Sequence, residues 1–156
     1  MKRLKKGFTL IELLVVIAII GILATTLAPK LREQLAKAKD AKAIALLGAA
    51  RTATQVILVD KLVISTGAGI TITQDNIEDK LDAKTAELLN ANSTVEIGGA
   101  RSGVDGAMTY GGVATIQSSG AAISGGISAT DDEVELNLAG PDSLPNSTEG
   151  KLWINY

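Results

Sequence analysis

The sequence predicts an α+β chain. A long N-terminal helix, its first half membrane-spanning, packs farther along against a C-terminal antiparallel β-sheet of about four strands. Three observations predict it. Residues 8–28, FTLIELLVVIAIIGILATTLA, run for 21 positions with one charge, Glu12. Residues 30–63 are almost free of helix breakers and rich in Ala, Leu, Lys, Gln and Glu, all strong helix formers. From Ser93 onward the apolar period changes to two, in short runs broken by Gly, Asp and Pro.

The apolar run comes first. A bilayer core of ~30 Å needs ~20 helical residues, so residues 8–28 can span it. Lys2, Arg3, Lys5 and Lys6 stand before the run and place its N-terminal side in the cytoplasm. An ordinary secretory signal fits poorly, because its apolar region is usually only ~7–15 residues long. The best small-x-small site, Thr26-Leu27-Ala28, is followed by Pro29, an unfavourable residue just after a cut. Glu12 argues against a plain anchor, since a carboxylate deep in lipid costs ~2.5–3.5 kcal/mol and calls for a partner. A cut between Gly7 and Phe8 would supply one: the new α-amine lies about one helical turn from Glu12, in the same subunit or a packed neighbour.

The stretch KGFTLIELLVVIAIIGILATTLAP resembles the N-terminus of type IV pilins and of the pseudopilins of type II secretion. The resemblance is close over residues 2–29 and loose over the helix beyond. It rests on the short basic leader, Gly7, Phe8, Thr9-Leu10, Glu12, the unbroken apolar run, Gly21 and Pro29. It implies a pilin fold, cleavage after Gly7 by a prepilin peptidase, N-methylation of Phe8, and neutralisation of a neighbour's Phe8 amine by Glu12 during assembly. The implied partners are identical or homologous pilin subunits in a homopolymer, the prepilin peptidase, the inner-membrane pilus or secretion machinery, and membrane lipid. The implied location is the inner membrane as a single-pass precursor, then an extracellular pilus or a periplasmic pseudopilus. The expected division is a leader (1–7), an assembly half of the helix (8–28), an amphipathic half (29–63) and an α/β head (64–156). Loss of the +4 leader takes the formal charge from -2 to -6.

Beyond Pro29 the helix carries an apolar line at 3–4-residue spacing: Leu31, Leu35, Ala38, Ala41, Ala45, Gly48/Ala49, Thr52, Val56, Val59 and Val63. Its small middle suits close approach of a partner, either the head or a neighbouring helix. Pro29 is expected to kink the helix rather than end it, and Gly21 is a second soft point. From Phe8 to Asp60 the helix would be roughly 80 Å long at ~1.5 Å per residue. A head of this size covers only the second half, so the first must find lipid or other subunits.

In the head, STGAGITIT (65–73) reads as the exit from the helix. Residues 73–92 read as a short helix with Asp75 as N-cap, Glu78 three residues on, and Ile77, Leu81 and Leu88 on one face. STVEIGG, AMTYGGVATIQ, AAISGGISA, DEVELNLAG and KLWINY read as strand runs. Within EVELNL, Val134, Leu136 and Leu138 alternate with Glu133, Glu135 and Asn137. Trp153 and Tyr156, in a terminal strand, are expected to hold by packing a C-terminal region that many pilins close with a disulfide.

Chemistry is largely excluded. With no histidine and no cysteine, the usual general base, the neutral metal ligand, thiol chemistry and Cys-ligated zinc are all removed. No enzyme activity and no cofactor are expected. NSTEGKL (146–152) is a near-miss for a phosphate loop, with Pro145 where the first glycine belongs. Asp131, Asp132 and Glu133, with Asp105 or Asp142, form a weak oxygen-ligand calcium candidate against the plainer reading of a solvated acidic loop. Asn92-Ser93-Thr94 and Asn146-Ser147-Thr148 have the N-glycosylation pattern but read as turn chemistry. Charge is uneven: +4 over residues 30–51, -8 from Lys61 to the end. No aromatic residue is interleaved with the basic stretch, so no nucleic-acid site is read there. Three functions stand at this stage. They are a subunit of a type IV pilus (adhesion, twitching or DNA uptake), a secretion pseudopilin forming a short periplasmic piston, and a membrane-anchored binding domain that never polymerises.

Overall fold

Helix-forming residues dominate from Leu10 to Ile64, and they make one α-helix of 55 residues, α1, that continues through Pro29. The computed structural model describes residues 7–64, 70–90, 92–101, 106–118, 121–129, 134–141 and 145–156. The chain divides into two units, Met1–Gln34 and Leu35–Tyr156. Within the first, every described residue to Arg32 is exposed.

The second unit forms around one face of α1, and it is not the face the spacing predicts. The buried line is Ala36, Asp40, Ala43, Leu46, Leu47, Ala50, Ala53, Thr54, Ile57 and Leu58. The predicted line lies largely outward: Leu31, Leu35, Val59 and Val63 are 59–82% exposed, and Ala38, Ala45, Gly48, Thr52 and Val56 are exposed too. An Ala-rich helix offers two adjacent apolar lines. The bulkier one, with Leu46, Leu47, Ile57 and Leu58, removes more area from water. Asp40 hides it, because a carboxylate on an apolar line reads as a wet face.

After α1 the chain forms β1 (Ile70–Ile72), α2 (Gln74–Glu78), α3 (Ala83–Ala86), β2 (Thr94–Glu96), β3 (Gly99–Arg101), β4 (Met108–Tyr110), β5 (Val113–Ser118), β6 (Ala121–Ala122), β7 (Ile127–Ala129) and β8 (Asn137–Ala139). The four-stranded antiparallel sheet predicted from the period is centred on β5. Thr115 pairs with both Thr94 and Ala139, so β2 and β8 lie on opposite edges of β5, and β6 continues the β2 edge. Pairs β1–β7 and β3–β4 are separate two-stranded ladders. Alternation on β5 turns Ala114, Ile116 and Ser118 inward. Val134, Leu136 and Leu138 alternate inward as predicted, although ladder pairing begins only at Asn137.

Two further expectations are corrected. The helix expected over 73–92 is two short pieces, each with its own cap. Thr73 caps the first, its N–H bonded to Asn76 Oδ1 at 3.3 Å, and Asp82 caps the second by accepting from the Thr85 N–H at 3.2 Å. Asp75 is therefore inside the first turn and not at its cap. KLWINY is not a strand: Trp153–Asn155 form a 3₁₀ turn. Trp153 is buried, its ring 5.7 Å from that of Tyr156, with Lys151 Nζ 4.0 Å over the Tyr156 ring, so packing does hold this end. The calcium candidates Asp131, Asp132 and Glu133, with Asp105 and Asp142, lie outside the described residues. Among the described residues no group of three or more acidic, His or Cys side chains could hold a metal. In the two glycosylation patterns Ser93 and Ser147 are buried, and Ser93 donates to Gln74 Oε1 at 2.8 Å.

Asp40 joins the pieces. It is 4% exposed, and its carboxylate accepts from the Gly98 N–H at 2.7 Å and the Thr148 N–H at 2.8 Å. One helical residue thereby anchors the β2–β3 turn and the C-terminal segment. The turn lies so close that a Cβ on Gly98 would stand 1.9 Å from the Ala36 carbonyl oxygen. Gly99 follows with φ +139, a conformation open to glycine. Arg51 adds a tie on the same helix, Nε to the Leu136 carbonyl at 2.8 Å.

Two stability effects follow from these contacts. Asp40→Ala strands two buried N–H groups and is expected to cost about 3 kcal/mol. Asp40→Asn, which keeps one acceptor, is expected to cost less. Gly48 sits in the helix with nothing within 4 Å of a would-be Cβ. Gly48→Ala is therefore expected to add about 1 kcal/mol. Urea unfolding of the full chain in detergent, followed by the fluorescence of its single tryptophan, reads all three variants.

Candidate functional site

The N-terminal segment is built around a capping arrangement that the apolar reading passes over. Thr9 precedes the first helical residue. Its N–H and its hydroxyl both reach one carboxylate oxygen of Glu12 at 2.8 Å, and its Oγ1 accepts from the Glu12 N–H at 3.3 Å. This is a reciprocal capping box: Thr at the N-cap, Glu three residues on, and two otherwise unpaired helix-end donors satisfied. The signal was available as T-x-x-E before an apolar run. Glu12 thus has a task inside its own chain before any partner arrives.

Around that cap the segment is apolar on every side. Phe8 is 75% exposed, Leu10 80% and Ile11 69%, and no residue from Gly7 to Arg32 is buried. A helix apolar all round is stable where lipid or other protein surrounds it. Its other two hydroxyls are also satisfied, Thr25 Oγ1 donating to the Ile22 carbonyl at 2.8 Å and Thr26 Oγ1 to the Leu23 carbonyl at 2.9 Å. Neither brings an unpaired donor into an apolar medium. Among the described residues one helix is long and apolar enough to cross a membrane, and it contains this segment.

Of the residues singled out in sequence, Gly7 and Phe8 immediately precede the Thr9 cap and Glu12 lies in the first turn of α1, all of them exposed. Gly21 lies farther along, and a Cβ there would meet nothing within 4 Å, so the isolated chain does not require a glycine. Pro29 lies inside α1, near the end of the uniformly exposed stretch.

Comparison with known proteins places the same segment. Residues 2–28 match the family model of the prokaryotic N-terminal methylation motif. The chain is 45% identical over 60 residues to the type IV major fimbrial protein FimA of Dichelobacter nodosus, covering 38% of each chain. It is 37% identical over 95 residues to fimbrial protein Q of Moraxella bovis, covering 61% of this chain and 60% of that one. A fimbrial protein of Pseudomonas aeruginosa is 41% identical over 64 residues, covering 40% and 42%. The matches thus span less than two thirds of these relatives' length. No solved structure matches the chain at a significant level. Motif, apolar helix and relatives agree: the N-terminal part of this chain is similar to that of type IV fimbrial proteins.

Proposed function

We propose that the chain is a structural, non-enzymatic subunit of a type IV pilus. It enters the inner membrane with its N-terminus in the cytoplasm, loses residues 1–7 to a prepilin peptidase, and polymerises through the first half of α1. The observation that carries this reading is the exposed apolar helix with its single, capped carboxylate. Such a surface is costly in water, and a filament of like subunits covers it in a way a monomer cannot. The relatives are fimbrial proteins by name, which favours a pilus over a secretion pseudopilus.

Cleavage between Gly7 and Phe8 creates an amine beside the capping box. In the membrane the amine and the Glu12 carboxylate both sit near the interface. Once helices pack side by side, their surroundings become drier. An opposite charge on the neighbour then offsets the cost of burial, whereas a subunit in the wrong axial register leaves both charges unpaired. Unpaired buried charges are penalised by roughly 3–5 kcal/mol, so the pair acts on register and recruitment.

Intact-mass measurement of the native protein is expected to show a chain starting at N-methylated Phe8. Retention of Met1, or a start at Pro29, would contradict the reading.

Substitutions at positions 9 and 12 separate charge from cap. Glu12→Gln keeps a side chain that can reach back to the N-cap but removes the charge, and Glu12→Val removes both. Thr9→Ala removes the reciprocal hydroxyl and leaves the charge. We expect both Glu12 variants to reach the membrane normally and to form at least tenfold fewer filaments, while Thr9→Ala still assembles. Filament counts by microscopy beside membrane immunoblots decide it. Normal filaments from Glu12→Gln with none from Glu12→Val would assign the effect to the helix cap instead.

A further inference from the structure

Two cations follow the apolar run at once. Lys30 and Arg32 stand two and four residues past Ala28, both on α1 and both exposed. Among the described residues neither side chain has an ion-pair or hydrogen-bond partner. Of the later bases of the helix, only Lys42 shares that state. Lys39 pairs with Glu96, Arg51 donates to the Leu136 carbonyl, Lys61 donates to Asn76 Oδ1, and Lys37 also has a partner. Glu33, the acid nearest to Lys30 and Arg32 in sequence, is likewise engaged. Two free positive charges therefore end the uncharged stretch that runs from Leu13 to Ala28.

We propose that Lys30 and Arg32 bind the phosphates of anionic phospholipids in the leaflet facing away from the cytoplasm. The inference rests on the membrane reading and adds to it the class of lipid that the subunit gathers before assembly.

Three observations select a lipid headgroup over a protein partner. The first is depth. At ~1.5 Å per residue, Lys30 lies about 3 Å and Arg32 about 6 Å past the end of the run. The polar layer outside a hydrocarbon core is roughly 5–8 Å deep on each side, so both reach the layer that holds the phosphates. The second is direction. Residues two apart on an α-helix sit ~200° apart around its axis, so these two leave from nearly opposite sides. A protein surface docked on one side would meet one of them, whereas headgroups surround a spanning helix. The third is the company they keep. Leu31, between them, is 67% exposed, and long basic side chains lay their stems on such apolar surface while carrying the charge into the polar layer. The Thr25 and Thr26 hydroxyls are committed to carbonyls of their own helix. The cations are left to hold a headgroup, Arg32 by a fork onto two phosphate oxygens and Lys30 as a point charge.

The chain has no cysteine, so a single introduced one carries a probe without background. Full-length Leu27→Cys, labelled with bimane, is reconstituted in vesicles of nine parts phosphatidylcholine to one part acyl-brominated lipid. The brominated lipid is phosphatidylglycerol or, in parallel, phosphatidylcholine, and the ratio of the two quenching efficiencies reads local enrichment. Phosphatidylglycerol is expected to quench at least twofold more at low salt, with the excess shrinking in concentrated salt. Lys30→Gln with Arg32→Gln should bring the ratio to one, while the charge-keeping pair Lys30→Arg with Arg32→Lys should retain it. Lys5→Gln with Lys6→Gln, on the other side of the run, should leave it unchanged.

Equal quenching by the two lipids in the parent, or a ratio untouched by the Lys30→Gln, Arg32→Gln pair, would overturn the proposal and leave the membrane reading standing. So would an equal fall from the Lys5→Gln, Lys6→Gln pair, which would make the enrichment a matter of total charge. Absence of quenching by either brominated lipid would instead strike the membrane reading, and the lipid site with it.

Discussion

A carboxylate buried on α1 holds the head of this protein together. Asp40 accepts one backbone N–H from the β2–β3 turn and one from the C-terminal segment. It ties residues separated by 58 and 108 positions to a single helical turn. Hydrogen bonds to an ionised acceptor are stronger than neutral ones, and those between buried groups escape competition from water. The adjoining contact, Gly98 against the Ala36 backbone, has no room for a side chain. Carboxylate and glycine together fix how the sheet seats on the helix. In a chain without cysteine they supply long-range ties of the kind a covalent bridge would otherwise provide.

The same helix meets two physical problems along its length. Up to Arg32 it buries nothing, and from Leu13 to Ala28 it is apolar on all sides. From Ala36 to Leu58 it buries one face in a core with Ile97, Ile116, Leu136, Leu138 and Trp153. An outward line there, Ala38, Ala41, Ala45, Gly48, Thr52 and Val56, is largely apolar but built of smaller residues. A large side chain contributes more area to a core, whereas small ones permit backbones to approach, so the two lines suit different partners. The bulky line is satisfied within the chain, whereas the small line and the first half are exposed.

Glu12 has a local task that is compatible with the collective one proposed for it. In the chain by itself it completes the N-terminal cap with Thr9. In a filament the same carboxylate would lie next to an amine created by cleavage. A capping role and a pairing role are compatible because a carboxylate has lone pairs to spare after accepting from Thr9.

What the sequence determined by itself is set by local physics. A 21-residue apolar run, the absence of His and Cys, the change of period from 3–4 to two, and the prepilin-type motif are all one-dimensional. They were enough for the helix, the central sheet and the resemblance of the N-terminal segment to fimbrial proteins. The capping box was equally legible as T-x-x-E and was passed over. Other features belonged to the tertiary structure alone. Which of two adjacent apolar lines on α1 faces the core depended on side-chain volume on the far side, and Asp40 made the true line look wet. That its carboxylate would be satisfied by Gly98 and Thr148 could not be read from neighbouring residues. The 3₁₀ turn at Trp153–Asn155 likewise replaces a strand because a buried ring, tilted against that of Tyr156, outweighed a short alternating pattern. Periodicity says that a helix has faces, and only the shape and hydrogen-bond donors of what packs against it say which face is buried.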